Sequence, residues 1–509
     1  MNGFLLLAEV HHVPAGVTIV FALLLVGLIL CLALEEKLHA KKSVIAGSFA
    51  IVCLLLGAFW QILPFEQIVV GSHELVEHTE VDGEYIEESN GDREEVHVQA
   101  MDESSPTAET DAAPLHVDGH RISMPVYIPA IDWGVIAIIF GSSLFVDITS
   151  KSGLFTWIAI KLTKFSGGDP RRLLVLYGLM TVLFSAVLNN VTAMIIVGSL
   201  TAVSLDRLGR MDKLLGFLLI EGLLTNVGGL LTLISSVPNI IVGTTADISF
   251  VRFVYCSAPY VVVATLVTLW MGAKWFGINR LTTPAEQEQA AAQVASFDEN
   301  DGIESWGVFW FGASMLVLFI VTIATTSVMP VIGDLQMGFV ALAFAGVMLL
   351  QYRSEADQFY RSLDWDLLGF FMGLFVVINV MEHAQVLEWI GKGLEPVIAW
   401  GDVAGSAAIL LASAVFSSVT DNIPLAAMLA KILQGLGTAN DSSLWWSVIF
   451  GANLGGNITP IGSASTLVAV TIIHRHKLTL SFAGFVKLAL PFAVVQLLLA
   501  TIYVLLFLR

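Results

Sequence analysis

Two stretches of the chain set polar groups able to do chemistry inside runs that otherwise suit oil. Residues 416–428, FSSVTDNIPLAAM, carry Asp421, Asn422 and Pro424, and residues 184–194, FSAVLNNVTAM, carry Asn189, Asn190 and Thr192. Two glycine-rich breaks accompany them: Asn226-Val227-Gly228-Gly229 through Thr232, Ser236, Pro238 and Asn239, and Asn453-Leu454-Gly455-Gly456-Asn457 through Thr459, Pro460 and Ser463. Paired glycines permit unwinding, and proline cannot donate to a helix ladder. The freed carbonyls, with Asn, Ser and Thr oxygens, are hard ligands that suit Na⁺. The half-helix N-termini created by each break suit an anion. A carboxylate at the bilayer centre costs on the order of 2.5–3.5 kcal/mol, so Asp421, and with it Glu221 a little before Asn226, reads as a proton-coupling group.

These groups need elements that hold them at membrane depth. Hydrophobic residues make up 56% of the 509 residues and charged ones only 13%, more apolar surface than one soluble core can hide. Runs of roughly 18 or more apolar residues, enough to cross ~30 Å of hydrocarbon, recur from residue 14 to residue 508. The fold class expected is an all-α polytopic membrane protein with about ten transmembrane helices, two re-entrant hairpins and two broken helices. Spans are expected near 14–34, 43–63, 132–150, 214–243, 253–275, 306–327, 336–352, 366–382, 444–473 and 480–508. The apolar stretches 174–203 and 407–436 have polar midpoints that leave each half only about 15 residues, which reads as a re-entrant hairpin.

Charge agrees with that layout. Of the net charge of −19, much lies in residues 66–120, where sixteen acids face the single Arg93. Basic residues at 37–42, 171–172, 207–213, 353–361 and 474–477 all fall on one side of a single topology, the cytoplasmic side by the positive-inside rule. Both termini then lie outside. Cys31, Cys53 and Cys256 sit in apolar spans and suggest neither a disulfide nor a metal site.

The chain also repeats itself. Asp132-Trp133 matches Asp364-Trp365, Gly141 matches Gly373, Trp157 matches Trp389 and FSAVLNNV matches FSSVTDNI, all at an offset of 232 residues. The topology puts the first Asp-Trp pair outside and the second inside, so the repeats are inverted. Inverted repeats with interrupted segments in corresponding places point to a secondary transporter with its site near the midplane. The organisation expected is two N-terminal helices over 1–64, an acidic disordered extracytoplasmic linker over 65–125, a first repeat core over 126–280, a cytoplasmic linker over 281–305 and the second repeat over 306–509.

At FSAVLNNVTAM, LLTNVGGLLTLISSVPNIIVG, FSSVTDNIPLAAM and GANLGGNITPIGSAS the sequence resembles the ion transporter superfamily, in the branch of arsenite permeases, NhaD-type sodium/proton antiporters and the pink-eyed-dilution protein, with a citrate transporter-like domain. The resemblance covers about residues 130–509. It implies a homodimer in a lipid bilayer, with a scaffold part and a moving part that carries both hairpins. It also implies a site formed by the Asn189-Asn190 and Asp421-Asn422 tips and the two breaks. The first tip has Asn189 where this branch often has Asp, and the first break lacks another acid, so fewer cations are expected to bind.

Two functions follow. One is Na⁺/H⁺ antiport of the elevator type at a plasma (inner) membrane, with Na⁺ and H⁺ as transported or coupling ions and no cofactor. The other is anion transport, either arsenite efflux or Na⁺-coupled di- or tricarboxylate uptake. The lack of a motif arginine ranks antiport first. No P-loop, zinc triad or Ser/His/Asp set suggests an enzyme, and nothing suggests a nucleic-acid partner.

Overall fold

The computed structural model describes residues 13–63, 67–71, 119–123, 125–300, 302–303, 305–326, 329–420 and 422–508. Asp421 and most of the acidic linker lie outside the described residues. Among those described, the chain is helical except for two short strands, β1 (Gln67–Gly71) and β2 (Gly119–Ser123), which pair antiparallel with Gly71 opposite Gly119. The two ends of the linker are therefore tied together.

The first half runs α1 (Ala15–Ala33), α2 (Lys42–Phe59), α3 (Trp133–Lys151), α4 (Leu154–Ser166), α5 (Pro170–Val187), α6 (Asn190–Arg207), α7 (Leu214–Gly228), α8 (Val237–Thr245) and α9 (Phe250–Trp275). A connector helix, α10 (Pro284–Ala295), follows. The second half repeats the series as α11 (Trp306–Thr325), α12 (Pro330–Gln351), α13 (Trp365–His383), α14 (Val386–Ile398), α15 (Asp402–Val419), α16 (Asn422–Gly435), α17 (Ser443–Gly455), α18 (Ala464–Arg475) and α19 (Phe482–Phe507). Among the described residues, eight helices are long and apolar enough to cross a membrane, against about ten expected, and α12 with the segment after it, bent by 96°, counts as a ninth only if the pair is one span. The repeat thus takes in the N-terminal helices as well, beyond the core that starts near residue 126.

The repeated residues have local reasons. Asp132 and Asp364 cap α3 and α13, accepting from Val135 N at 3.0 Å and Leu367 N at 2.9 Å. Such caps satisfy backbone donors that a helix start leaves open. The adjacent indoles donate to Ile128 O at 3.1 Å and Tyr360 O at 2.7 Å. Gly141 lets α12 in so closely that a Cβ would stand 2.5 Å from the Ala341 carbonyl carbon, and Gly373 does the same for α2, where the gap to Ala46 would be 3.0 Å. Each half therefore packs its third long helix against the second helix of the other half.

The two hairpins and two breaks form as the sequence indicates. Leu188 and Asn189 separate α5 from α6, and the chain leaves the helix between Gly228 and Val237 and again between Gly455 and Ala464. The halves of the first hairpin are 18 residues each, longer than expected. The hairpin helices back directly onto the breaks. A Cβ on Gly228 would come within 2.7 Å of Val182 Cα, and one on Gly455 within 2.3 Å of Ala414 O. The three cysteines are free thiols.

Candidate functional site

A cavity of about 820 Å³ lies where the hairpin tips and the breaks meet α3. Its lining divides the sequence-predicted residues into two groups. Asn189, Asn190, Thr192, Asn226, Ser236, Asn422 and Ser463 border the cavity. Thr232, Asn239, Asn453, Asn457 and Thr459 stand behind it and hold the backbone in place.

The rear group acts by hydrogen bonding across the repeat. Asn453 Nδ2 donates to Asn239 Oδ1 at 2.8 Å and to Ile449 O at 2.8 Å, and Asn453 Oδ1 accepts from Ser236 Oγ at 2.7 Å. Asn226 Nδ2 donates to Asn457 Oδ1 at 2.8 Å and Ser463 Oγ at 2.9 Å. Asn457 Nδ2 in turn reaches Leu223 O at 3.1 Å and Gln496 Oε1 at 2.8 Å, and Gln496 Nε2 donates to Thr268 Oγ1 at 2.9 Å. Apart from the half-buried Ser463, these side chains are buried, so an unpaired group among them is costly. The two breaks are stitched into one unit.

Each break is also pinned to its own hairpin in the same manner. Thr232 Oγ1 donates to Ala186 O at 2.5 Å and Thr459 Oγ1 to Ser418 O at 2.5 Å. Ser185 Oγ donates to Thr225 O at 2.6 Å and Ser417 Oγ to Ala452 O at 2.5 Å. The freed carbonyls of the first break have protein partners here: Gly229 O accepts from Ser235 Oγ at 2.6 Å and Asn239 Nδ2 at 2.6 Å.

The front group is built from helix starts. Asn189 caps α6, accepting from Thr192 N at 2.8 Å, and Asn190 bonds back to Ser185 at 2.6 Å and to Asn226 at 3.3 Å. Ser463 caps α18 through Thr466 N at 3.3 Å. The first residues of α6, α8, α16 and α18 all line the same cavity. Each helix start carries roughly half a positive elementary charge and N–H groups with no intrahelical acceptor. Together they give this wall of the cavity a positive partial charge.

Glu221 sits apart from this cavity. It is fully buried on α7; Oε1 accepts from Thr201 Oγ1 at 2.6 Å, and Oε2 has no partner among the described residues.

The opposite wall went unread in the sequence. Ser143, Asp147, Ser150 and Lys151 of α3 face the cavity, with Gln358 and Ser362 beside them. Ser362 Oγ donates to Asp147 Oδ2 at 3.1 Å, and Lys151 pairs with Glu355. The signal was present, since Ser143, Asp147 and Ser150 share one face of a helix at i, i+4 and i+7 spacing.

The hairpins, breaks and inverted series of helices define a polytopic transporter rather than a receptor or channel-forming anchor. A citrate transporter family profile matches residues 112–451, and the chain belongs to that family. An uncharacterized transporter of Mycobacterium tuberculosis is 30% identical over 378 residues, covering 73% of this chain and 86% of that one. The human P protein is 25% identical over 463 residues, covering 75% of this chain and 54% of that protein. Among solved structures, the YdaH transporter of Alcanivorax borkumensis aligns over 91% of this chain and 98% of its own, with TM-score 0.54 and 13% identity. MtrF of Neisseria gonorrhoeae, described as an antimetabolite efflux pump, aligns over 92% and 95% with TM-score 0.54 and 14% identity. At those identities the two structures share the fold alone.

Proposed function

We infer that the protein carries a small carboxylate anion of the di- or tricarboxylate class across the membrane, coupled to a cation. The observation that carries this reading is the meeting of four helix starts at one cavity, across from a wall where Asp147 and Asp364 stand with Lys42 and Lys151. Backbone N–H groups and helix dipoles take the part of an arginine. The family's description as citrate transporters supports the same class. This reverses the order reached from sequence, where the absent arginine ranked Na⁺/H⁺ exchange first.

Transport then proceeds by alternating access, with the stitched unit of hairpins and breaks moving as one body against α2, α3, α12 and α13. Lys42, Lys151 and Asp364 line the cavity from the side that charge distribution makes cytoplasmic, so this state is inward-facing. A plasma-membrane homodimer with both termini outside completes the proposal.

Na⁺/H⁺ antiport is kept as a second reading because of Glu221, whose second oxygen is buried without a partner among the described residues. On that reading Glu221 and Asp421 exchange H⁺ for Na⁺. Flux in sealed vesicles separates the two: labelled citrate or succinate accumulating under an inward Na⁺ or H⁺ gradient supports the first. A pH gradient dissipated by Na⁺ with no carboxylate moved supports the second, and then Asp421→Asn should abolish the exchange.

A further inference from the structure

A second cavity, of about 460 Å³, lies on the outer face of the first hairpin and is almost wholly apolar. Its floor is a stripe on α5 formed by Leu176, Leu179, Leu183 and Val187, and its walls include Ile158 of α4 and Leu316 of α11. It opens outward: Leu179 is 40% exposed and Leu183 is 61% exposed.

Length and charge name the occupant. Leu176 to Val187 spans about 16 Å at ~1.5 Å per residue, roughly half of the ~30 Å hydrocarbon thickness and so the depth of one leaflet. One turn before Leu176, on the same stripe, stands Arg172, whose side chain is exposed at the end where α4 gives way to α5. A guanidinium at headgroup level above an acyl-sized trough matches a lipid whose phosphate is anionic. We propose that this groove is a binding site for one anionic phospholipid of the bilayer, its chain along α5 and its headgroup on Arg172. The groove is walled on one side by the hairpin and on another by α11, so a seated lipid fills the gap between the first half's moving element and the second half. The inference does not depend on what the protein transports.

The test uses the full-length protein in bilayer nanodiscs with a diazirine-bearing phosphatidylglycerol or phosphatidylcholine, followed by peptide mapping. The expected result is labelling concentrated on residues 176–187, stronger for phosphatidylglycerol. Arg172→Gln should lower that preference about fivefold, the weight of one basic residue near an anionic surface. Leu316→Trp, and separately Leu183→Trp, should fill the groove and remove the label while leaving the protein monodisperse at its wild-type size. Equal labelling of 176–187 and of the exposed face of α1, or label that survives both tryptophans, would overturn the proposal. A change of oligomeric state in both variants would also overturn it, because the groove would then be covered by a second copy of the chain.

Discussion

Asn453→Leu keeps the approximate shape of a fully buried side chain and removes its hydrogen bonds, so it measures what stitches the two breaks together. Three bonds are lost, but their costs differ. Ile449 O keeps its place in the helix, and Ser236 Oγ borders the cavity, where water replaces the lost acceptor. Asn239 Oδ1 is sealed and loses the partner it has among the described residues. An orphaned buried acceptor costs about 1–3 kcal/mol, whereas polar contacts within membrane proteins average ~0.6 kcal/mol, so a destabilisation of about 2 kcal/mol is expected. The assay is a double-mutant cycle with Asn239→Leu, read by reversible denaturant unfolding in mixed micelles. The pair should couple by about 1–2 kcal/mol, and flux should fall in both single variants. Energies that add within ~0.5 kcal/mol would refute the cross-tie.

Three further outcomes follow from the packing and charge. Gly455→Ala should cost about 1–3 kcal/mol by overpacking against Ala414, whereas Gly435→Ala, with open space around its would-be Cβ, should be neutral or slightly stabilising in a thermal melt. Lys161 and Lys164 hold Glu299 below the ordinary carboxylate range, so the tie it gives the connector persists above the unfolded value near 4.5 and is lost as pH falls below it. Proteolysis of residues 281–305 should therefore quicken between pH 7 and pH 3.5 in the wild type and show no such step in Glu299→Gln. Deleting residues 72–118 with a short turn in their place should leave flux largely intact, because Gly71 and Gly119 already face each other across the strand pair; loss of flux in a correctly inserted deletion would make the linker a working part.

The hairpins, the breaks and the repeat were legible because each interrupts an apolar run with a cluster of Gly, Pro or Asn, whereas α9 and α19 each carry only a single internal proline, Pro259 and Pro491. The inclusion of α1 and α2 in the repeat was not, since the acidic linker shifts the register between the halves and an ungapped match fails across it. The division of the site was hidden as well. Asn226 and Asn453 look alike in sequence, yet one borders the cavity and the other lies behind it, a difference set by which side of the break faces α3. The place of Asp147 was hidden too, because its setting comes from the segment around Ser362, more than two hundred residues away.

The most direct measurement of the central claim is carboxylate protection of a single cysteine at the first hairpin tip. Val191→Cys, in a chain whose Cys31, Cys53 and Cys256 are replaced by Ser, sets a thiol at the start of α6 where it borders the cavity. If the four helix starts hold the transported anion, a water-soluble maleimide will label that thiol, and citrate or a related di- or tricarboxylate will slow the labelling in a saturable way while chloride at equal ionic strength will not. A thiol that reacts at one rate whatever carboxylate is present would contradict the account.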